Sequence, residues 1–295
     1  MKFNFVSIIY NPKSSGRTDR LAHQLYTDLQ EKLPHIGVEA VPTKYAGHAT
    51  DLVEITGRTR QNVVVVVIGG DGTYNEAVNG AMKVPAKNRP IMFPFAGGNA
   101  NDHARELPGD AEIVARLMDP KPHAIDIFKV SVHNPVGDDS NRYAHSYVGF
   151  GSSGRVARML NDYRVGKVAE KLFVLAELLR PKQFDVIADG KMKHLYSLIC
   201  SNVGVMAKFL KVTDDAHLSD GKFEVIETPA ISKTKLLREV AQSAAGMAPK
   251  PRKVGSYTFL LMSSVQAQFD GEPMWLPRGA SVSVTMAKKA IKTLA

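Results

Sequence analysis

A glycine-rich turn after a strongly apolar run is the first feature of this sequence that could do chemistry. Residues 69–73 read Gly-Gly-Asp-Gly-Thr and follow five valines and an isoleucine at 63–68. Glycines allow a sharp turn, and the missing Cβ atoms let a ligand approach the backbone closely. The spacing from Thr73 to Glu76 predicts a capping box, with a helix that begins at Thr73. Strand, turn and helix start together predict a phosphate-binding site, because free N–H groups converge there.

Other interpretations of this turn are weaker. An Asp-Gly pair is common in β-hairpins, but here the flanks predict a buried strand and a helix. The spacing is neither the dinucleotide-binding Gly-x-Gly-x-x-Gly pattern nor a P-loop, since no Gly-Lys-Ser/Thr follows. A second acidic turn, Phe-Asp-Gly-Glu-Pro at 269–273, brings two carboxylates close together. It could supply a proton acceptor, or it could be an exposed hairpin turn.

The elements that position these residues alternate in the first third of the chain. Strand-like apolar runs at 3–10, 38–41, 63–68 and 91–95 are separated by predicted helices. This alternation indicates βαβ units and a mostly parallel sheet. From about residue 125 the segments are mostly strand-like and alternate with period two, which predicts an antiparallel β-sandwich. We therefore expect an α/β N-terminal domain at 1–122 and a larger β-rich domain at 123–295, whose C-terminal tail could return to the first domain.

Composition limits the classes of function. Lys and Arg exceed Asp and Glu by 38 − 29 = 9, which favours anionic partners such as phosphates or acidic membrane surfaces. No zinc-finger spacing or RNA-binding signature is present, so nucleic acid is not an expected partner. The single cysteine excludes an intramolecular disulfide framework. Without a signal-peptide pattern or a membrane-spanning apolar run, we expect a cytoplasmic protein, and peripheral membrane association stays open.

Several motifs in order resemble one known family. They are NPKSSG at 11–16, GGDGT at 69–73, PFAGGNANDHARELPGD at 94–110, HLSDGKFEV at 217–225 and FDGEP at 269–273. Together they resemble the diacylglycerol kinase catalytic-domain family, which includes bacterial lipid kinases and the sphingosine and ceramide kinases. The NAD kinases are similar in fold and share GGDGT, but they lack the Asn-Pro opening.

The resemblance implies a role for each matched residue. ATP would lie in the cleft between the domains, so that 1–122 binds nucleotide and 123–295 binds lipid. Glu272 would be the general base that accepts the proton of a lipid hydroxyl, and Asp270 would assist through Mg²⁺ or by holding the loop. The nucleotide contacts implied by the motifs are Asn11, Ser14, Ser15, Thr43, Gly70, Asp71, Gly72, Thr73 and Asn99.

The family also implies Mg²⁺, a hard cation that prefers oxygen ligands. Asp71 could contact a nucleotide-bound ion. A second, structural ion would take the side chain of Asp220 and the backbone carbonyls of His217 and Lys222, although a metal-free turn is an open alternative. The chain departs from the family pattern at Gly98-Asn99, where Gly-Thr is usual, and that change affects nucleotide contacts more than the type of reaction.

A segment at 155–180 combines basic and apolar residues, and it could lie on an anionic membrane surface or pack on the sheet. The basic patch at 250–253 is expected to be a solvated loop.

We expect an ATP-dependent lipid kinase whose acceptor is diacylglycerol. Kinases for another hydroxyl, such as a sphingoid base, another lipid alcohol or NAD, are the alternatives, and so is a catalytically silent nucleotide-binding module. A homodimer is left open.

Overall fold

The computed structural model describes residues 3–14, 17–96, 113–163, 181–206, 210–213, 215–232, 235 and 251–294. Its α-helices in these ranges are α1 (Thr18–Lys32), α2 (His48–Thr59), α3 (Asp71–Met82), α4 (Ile113–Met118) and α5 (Ser152–Tyr163). Its strands in these ranges are β1 (Phe5–Tyr10), β2 (Gly37–Pro42), β3 (Val63–Gly69), β4 (Ile91–Ala96), β5 (Pro122–His133), β6 (Ser140–Ala144), β7 (Tyr147–Gly151), β8 (Phe184–Ala188), β9 (Lys191–Ser201), β10 (Val205–Met206), β11 (Leu210–Lys211), β12 (Phe223–Pro229), β13 (Arg252–Val254), β14 (Ser256–Leu261), β15 (Val265–Phe269), β16 (Glu272–Leu276) and β17 (Ser281–Leu294).

The N-terminal part is a parallel sheet in the order β2-β1-β3-β4. All seven residues of β3 are buried because helices cover both faces of the sheet. Side chains of Val64, Val66 and Ile68 pack on the face that also contacts α1. Those of Val65 and Val67 pack on the opposite face, against α2 and α3. The valine run therefore belongs to a central strand, and the edge at its carboxyl end carries the glycine turn.

The C-terminal part is antiparallel and β-rich. Its strands follow the order β16-β15-β7-β9-β8-β14-β17-β5-β6, and β12 and β13 extend it from β9. Five phenylalanines are fully buried in one shared core, which consists of Phe128, Phe150, Phe223, Phe259 and Phe269 with their apolar neighbours. The predicted combination of a parallel α/β part and a larger antiparallel β-rich part is confirmed.

Strand β17 connects the two parts. It pairs antiparallel with β14 and β5 in the β-rich part. Near its end it pairs in parallel with β4, where Lys292 lies opposite Ile91. The side chains of Ile291 and Leu294 are buried in the two cores of the parallel sheet. The end of the chain therefore packs with the beginning, and one continuous sheet carries both halves of the site.

Two segments that the sequence analysis emphasised lie outside the described residues. The motif at 94–110 is described only up to residue 96, and the basic and apolar segment only up to residue 163. Within the described ranges, no helix is long enough and apolar enough to cross a bilayer.

Candidate active site

Polar residues meet at the carboxyl edge of the parallel sheet. The backbone N–H of Asn11, directly after β1, donates to the carbonyl of Ile68 at 3.0 Å. The Nδ2 of Asn11 donates to Oγ1 of Thr73 in α3 at 3.2 Å. Thr43 follows β2, and its N–H donates to the carbonyl of Tyr10 at 2.8 Å. Loops after neighbouring parallel strands form a crevice at this edge, as expected for a ligand site.

Helix α3 begins two residues earlier than the capping-box pattern predicts. Its first residue is Asp71, and Gly70 stands at the N-cap in an extended conformation with no side-chain cap. The first intrahelical hydrogen bond runs from the N–H of Tyr74 to the carbonyl of Gly70 at 3.1 Å, so Asp71 and Gly72 already belong to the helix. The predicted box at Thr73 and Glu76 is therefore wrong. The first turn of α3 contains Asp71, Gly72 and Thr73, and N–H groups at such a position have no intrahelical acceptor.

Glu76 has a different structural role from the predicted one. Its carboxylate accepts the N–H groups of Gly47 at 2.8 Å and Ala49 at 3.3 Å, at the start of α2. Thr50 donates its hydroxyl to the carbonyl of Glu76 at 2.8 Å. A Cβ on Gly80 would collide with the backbone of Thr50, so the two helices pack closely. Glu76 thus stabilises the N-terminus of α2 and holds it on α3.

Glu272 lies directly opposite the glycine turn. It is the first residue of β16, and a Cβ placed on Gly72 would lie only 2.5 Å from its Oε1 atom. The hairpin that carries it turns through Asp270 and Gly271, both with positive φ (49° and 92°). Two residues 200 positions apart in sequence are therefore neighbours. The absence of a side chain at position 72 leaves the space that the Glu272 carboxylate occupies.

Asp270 is placed to hold this hairpin. It is 2% exposed, so its carboxylate is closed off from the crevice. Its Oδ1 accepts the N–H groups of Ser146 and Tyr147, at 2.9 and 3.0 Å. Its Oδ2 accepts the N–H of His145 and the Nδ2 of Asn75, both at 2.7 Å. Of the two roles expected for Asp270, this geometry favours holding the loop over contacting Mg²⁺.

Asn75 and His145 are site residues that the sequence analysis missed. Asn75 lies on α3 and joins it to the β15–β16 turn through Asp270, and its Nδ2 also reaches the carbonyl of Tyr143 at 3.0 Å. The His145 ring is fully buried, with Nε2 3.3 Å from the carbonyl of Asp71. No sequence motif marks Asn75, which lies three positions after Gly72. His145 is a single histidine in a strand-like stretch of sequence, which gives no functional signal.

The Glu272 carboxyl group has a raised pKa. Burial is the largest cause, and the nearby carboxylates of Glu76 and Asp270 add to it. The guanidinium of Arg142 acts in the opposite direction and lowers the pKa. Arg142 is exposed and lies over the Phe269 ring, 5.8 Å from its centroid. A carboxyl group with a raised pKa is a stronger proton acceptor when ionised, which suits a general base.

The remaining predicted contacts divide by location. Ser14 belongs to the turn after β1, where its N–H donates to the carbonyl of Asn11 at 3.1 Å. Ser15 and Asn99 lie outside the described residues. Gly69, Gly70 and Asp71 line a small pocket at the ends of β3 and β4. This pocket lies at the edge where the first turn of α3 faces Glu272.

The predicted structural-metal residues form a separate loop before β12. Asp220 accepts the backbone N–H of Lys222 at 2.9 Å, and its other oxygen contacts the ammonium group of Lys253 at 2.8 Å. The His217 ring lies 3.2 Å from a carboxylate oxygen of Asp215. Among the described residues, no group of three or more His, Cys, Asp or Glu side chains is arranged to hold a metal ion. The basic patch at 250–253 was predicted to be a solvated loop, but Lys253 is instead half-buried among carboxyl groups.

Fold and site together define a class of protein. A glycine turn at the start of a helix faces a carboxylate with raised pKa, and the two lie on different halves of one continuous sheet. Such an arrangement suits a phosphoryl-transfer enzyme, in which a turn binds an anion and a carboxylate accepts the proton of a hydroxyl acceptor.

Comparison with known proteins shows which proteins the chain is similar to. Residues 6–130 match the model of the diacylglycerol kinase catalytic domain. The diacylglycerol kinase of Bacillus subtilis is 26% identical over 251 residues, which cover 81% of this chain and 78% of that protein. The diacylglycerol kinase of Staphylococcus epidermidis is 28% identical over 288 residues, covering 90% and 84%.

Solved structures agree on the fold. A diacylglycerol kinase from Bacillus anthracis superposes with a TM-score of 0.73 at 17% identity, covering 100% of this chain and 97% of that one. Yeast NADH kinase complexed with NADH gives 0.57 at 13% identity, covering 100% and 84%. Within residues 6–130 the chain therefore resembles the diacylglycerol kinase catalytic domain, and over most of its length it is similar to diacylglycerol kinases of bacteria.

Proposed function

We propose that the protein is an ATP-dependent kinase that transfers the γ-phosphoryl group of ATP to the free hydroxyl of diacylglycerol and forms phosphatidic acid. The observation that carries the proposal is the carboxylate of Glu272 placed against Gly72 in the first turn of α3. The relatives named above support diacylglycerol as the acceptor. A catalytically silent module is disfavoured, because the Glu272 carboxylate and the glycine turn that it faces are both retained.

In this proposal the glycine turn binds the phosphates of ATP, and Glu272 on the β15–β16 hairpin accepts a proton. N–H groups in the first turn of α3 would hold the phosphates, and Asn11, through Thr73, would fix the edge of the crevice. The acceptor hydroxyl would lie between the phosphate and Glu272, whose carboxylate takes the hydroxyl proton as the oxygen attacks phosphorus. Asn75 and Asp270 would be positioning residues, because they hold the base relative to the turn without contacting the reactants.

The fit to a nucleotide-bound Mg²⁺ rests on Asp71. Its carboxylate belongs to the first turn of α3, and Gly70 before it carries no side chain that would obstruct a phosphate. A carboxylate is the type of oxygen ligand that Mg²⁺ takes from proteins, which leaves several waters in place. When bound, the ion would neutralise charge on the transferring phosphoryl group.

The function is tested with the full chain, radiolabelled ATP and Mg²⁺. Diacylglycerol, a sphingoid base and ceramide are offered in mixed micelles, and NAD in solution. The expected result is labelled phosphatidic acid, with at least tenfold less label in any other acceptor. Label found only in NADP, or only in the phosphorylated form of another lipid, would show that diacylglycerol is not the substrate. ATP binding without transfer to any acceptor would support the silent module instead.

Arg142 and Glu76 should shift the pH profile in opposite directions. Glu272 must be ionised to accept a proton, so kcat/KM should fall on the acidic side as its pKa is crossed. Arg142→Gln removes a group that lowers this pKa, and the acidic limb should move to higher pH. Glu76→Gln removes a group that raises the pKa, and the limb should move to lower pH. The measurement is kcat/KM for diacylglycerol as a function of pH.

The matched control for these variants is Arg278→Gln, which removes an exposed arginine from the turn before β17. Its acidic limb should coincide with that of the wild type. If Arg142→Gln and Glu76→Gln shifted the limb in the same direction, or left it in place, Glu272 would not be the group that titrates.

The proposed partner surface is an anionic membrane, beside the strand that carries the base. Trp275, the only tryptophan of the chain, lies on β16 and is 59% exposed. It pairs in register with Gln266, which accepts a hydrogen bond from exposed Arg158 of α5 at 3.4 Å. Tryptophan favours the membrane–water interface, and each basic group near an anionic surface contributes about 1 kcal/mol.

The single tryptophan provides the test of this surface. Adding vesicles that contain phosphatidylglycerol should shift Trp275 emission to the blue and expose it to quenching by brominated acyl chains. Phosphatidylcholine vesicles should cause a smaller shift, and Arg158→Gln should weaken binding to the anionic ones severalfold. Emission that stays unchanged with anionic vesicles, while the vesicles carry bound protein, would place the membrane contact elsewhere.

A further inference from the structure

The loop before β12 gathers acidic groups around one lysine. Lys253 lies on β13, directly opposite Glu224 of β12 in an antiparallel pair. Its Nζ lies 2.8 Å from Oδ2 of Asp220 and donates to the backbone carbonyl of Asp215 at 2.9 Å. Carboxylate oxygens of Asp215 and Glu224 lie 3.7 and 3.8 Å away. An ammonium group is therefore surrounded by oxygens from three acidic residues.

The family resemblance implies Mg²⁺ at this loop, with Asp220 as its side-chain ligand, and the residues present do not fit that ion. Mg²⁺ binds oxygen at about 2.0–2.1 Å and demands near-octahedral geometry. One oxygen of Asp220 accepts the Lys222 N–H at 2.9 Å, and the other contacts the Lys253 ammonium. A divalent cation on that carboxylate would lie within a few ångströms of another positive charge.

We propose that Lys253 is the resident cation of this loop, so that the loop is held without a metal ion. The ammonium group supplies positive charge and a hydrogen-bond donor at the place where the family implies Mg²⁺. Burial of Asp220 acts to raise its pKa, but the contacts with Lys253, the backbone N–H of Lys222 and the nearby His217 together outweigh burial, and the pKa is lowered. The pKa of Lys253 is raised, and the hydrogen bond with Asp220 is the largest cause.

The loop that Lys253 contacts connects several elements of the fold. Gly221 has φ of +72°, and its N–H donates to Oδ2 of buried Asp126 at 2.6 Å. The other oxygen of Asp126 accepts the N–H of Lys289, where the register of β17 shifts, also at 2.6 Å. Leu218 packs against both cores of the parallel sheet. Lys253 therefore holds a loop that ties β5 and β17 to the N-terminal part.

The proposal is tested by thermal unfolding of the full chain without nucleotide, in EDTA and in millimolar Mg²⁺. The wild type should unfold at the same temperature in both. Lys253→Met keeps the unbranched apolar stem but removes the ammonium group, and in EDTA its melting temperature should fall by about 3–6 °C. Mg²⁺ should restore much of that loss, because the acidic loop is then open to a cation. The matched control is Arg252→Met, whose side chain pairs with exposed Asp189 and should show no response to Mg²⁺.

A double variant tests whether Mg²⁺ stabilises Lys253→Met by binding at this loop. In Lys253→Met combined with Asp220→Asn, the stabilisation by Mg²⁺ should disappear. The proposal is overturned if Mg²⁺ stabilises the wild type and Asp220→Asn abolishes that effect, since the loop would then bind metal alongside the lysine. It is also overturned if Lys253→Met melts like the wild type in EDTA. Neither readout requires catalysis, so the outcome is independent of the proposed kinase activity.

Discussion

Glu272→Gln should lower kcat for diacylglycerol phosphorylation by about 10²–10⁴-fold, which is the usual contribution of a positioned general base. Glutamine has nearly the same shape, so it still fits against Gly72, but its amide does not accept the hydroxyl proton. The KM for ATP should stay within about twofold, because the turn proposed to bind phosphate belongs to α3 and not to the hairpin of Glu272. The measurement is steady-state kinetics of label transfer from ATP, with nucleotide affinity measured separately.

Two further observations separate a base from a merely structural carboxylate. The residual activity of Glu272→Gln should lack the acidic limb of the pH profile, because the titrating group has been removed. Glu272→Asp retains a carboxylate but withdraws it by one methylene, so its activity should lie between wild type and Gln. Activity of the Gln variant within threefold of the wild type, with its acidic limb intact, would rule out Glu272 as the base.

The sequence alone could predict the parts of the fold that depend on local patterns. The run of buried valines in β3 indicated a central parallel strand, and helices do cover both of its faces. The turn at 69–72 was found because glycines at the end of such a strand have few structural alternatives. The helix start was misplaced at Thr73, because the Thr73–Glu76 spacing does not reveal that the carbonyl of Gly70 accepts the first intrahelical hydrogen bond. The role of Glu76 was predicted wrongly because its hydrogen-bond partners, Gly47 and Ala49 at the start of α2, are 29 and 27 residues away in sequence.

Contacts over long sequence distances could not be predicted. Asn75 and Asp270 are 195 residues apart, and their hydrogen bond exists only because α3 and the β15–β16 turn meet. His145 lies in the turn between β6 and β7, within a sequence stretch whose alternation is ordinary, and only the packed structure reveals its burial. Lys253 belongs to a short basic run that is usually solvated, and its carboxyl partners come from another strand and loop. Such pairs depend on topology and register, which residue types do not encode locally.

Asp270→Asn should lower stability and activity together. The variant keeps the side-chain volume, and asparagine tolerates the positive φ of 49° at this position. However, the carboxylate accepts four N–H groups, two on each oxygen, while it is 2% exposed. An amide turns its NH₂ group toward two of those donors, whichever way it is oriented. Leaving them without acceptors should cost about 3 kcal/mol of unfolding free energy.

The matched control is Asp189→Asn, because Asp189 also has positive φ (53°) but its side chain is 54% exposed. Its contacts with Lys193 and Arg252 are surface ion pairs, so the change in unfolding free energy should stay below about 1 kcal/mol. Chemical denaturation measures both variants, and activity is compared at a temperature where each is fully folded. Asp270→Asn should then still lose activity, because in either orientation the amide gives up two of the four hydrogen bonds that anchor the hairpin carrying Glu272. A variant that is inactive yet as stable as the wild type would instead make Asp270 a direct participant in the chemistry.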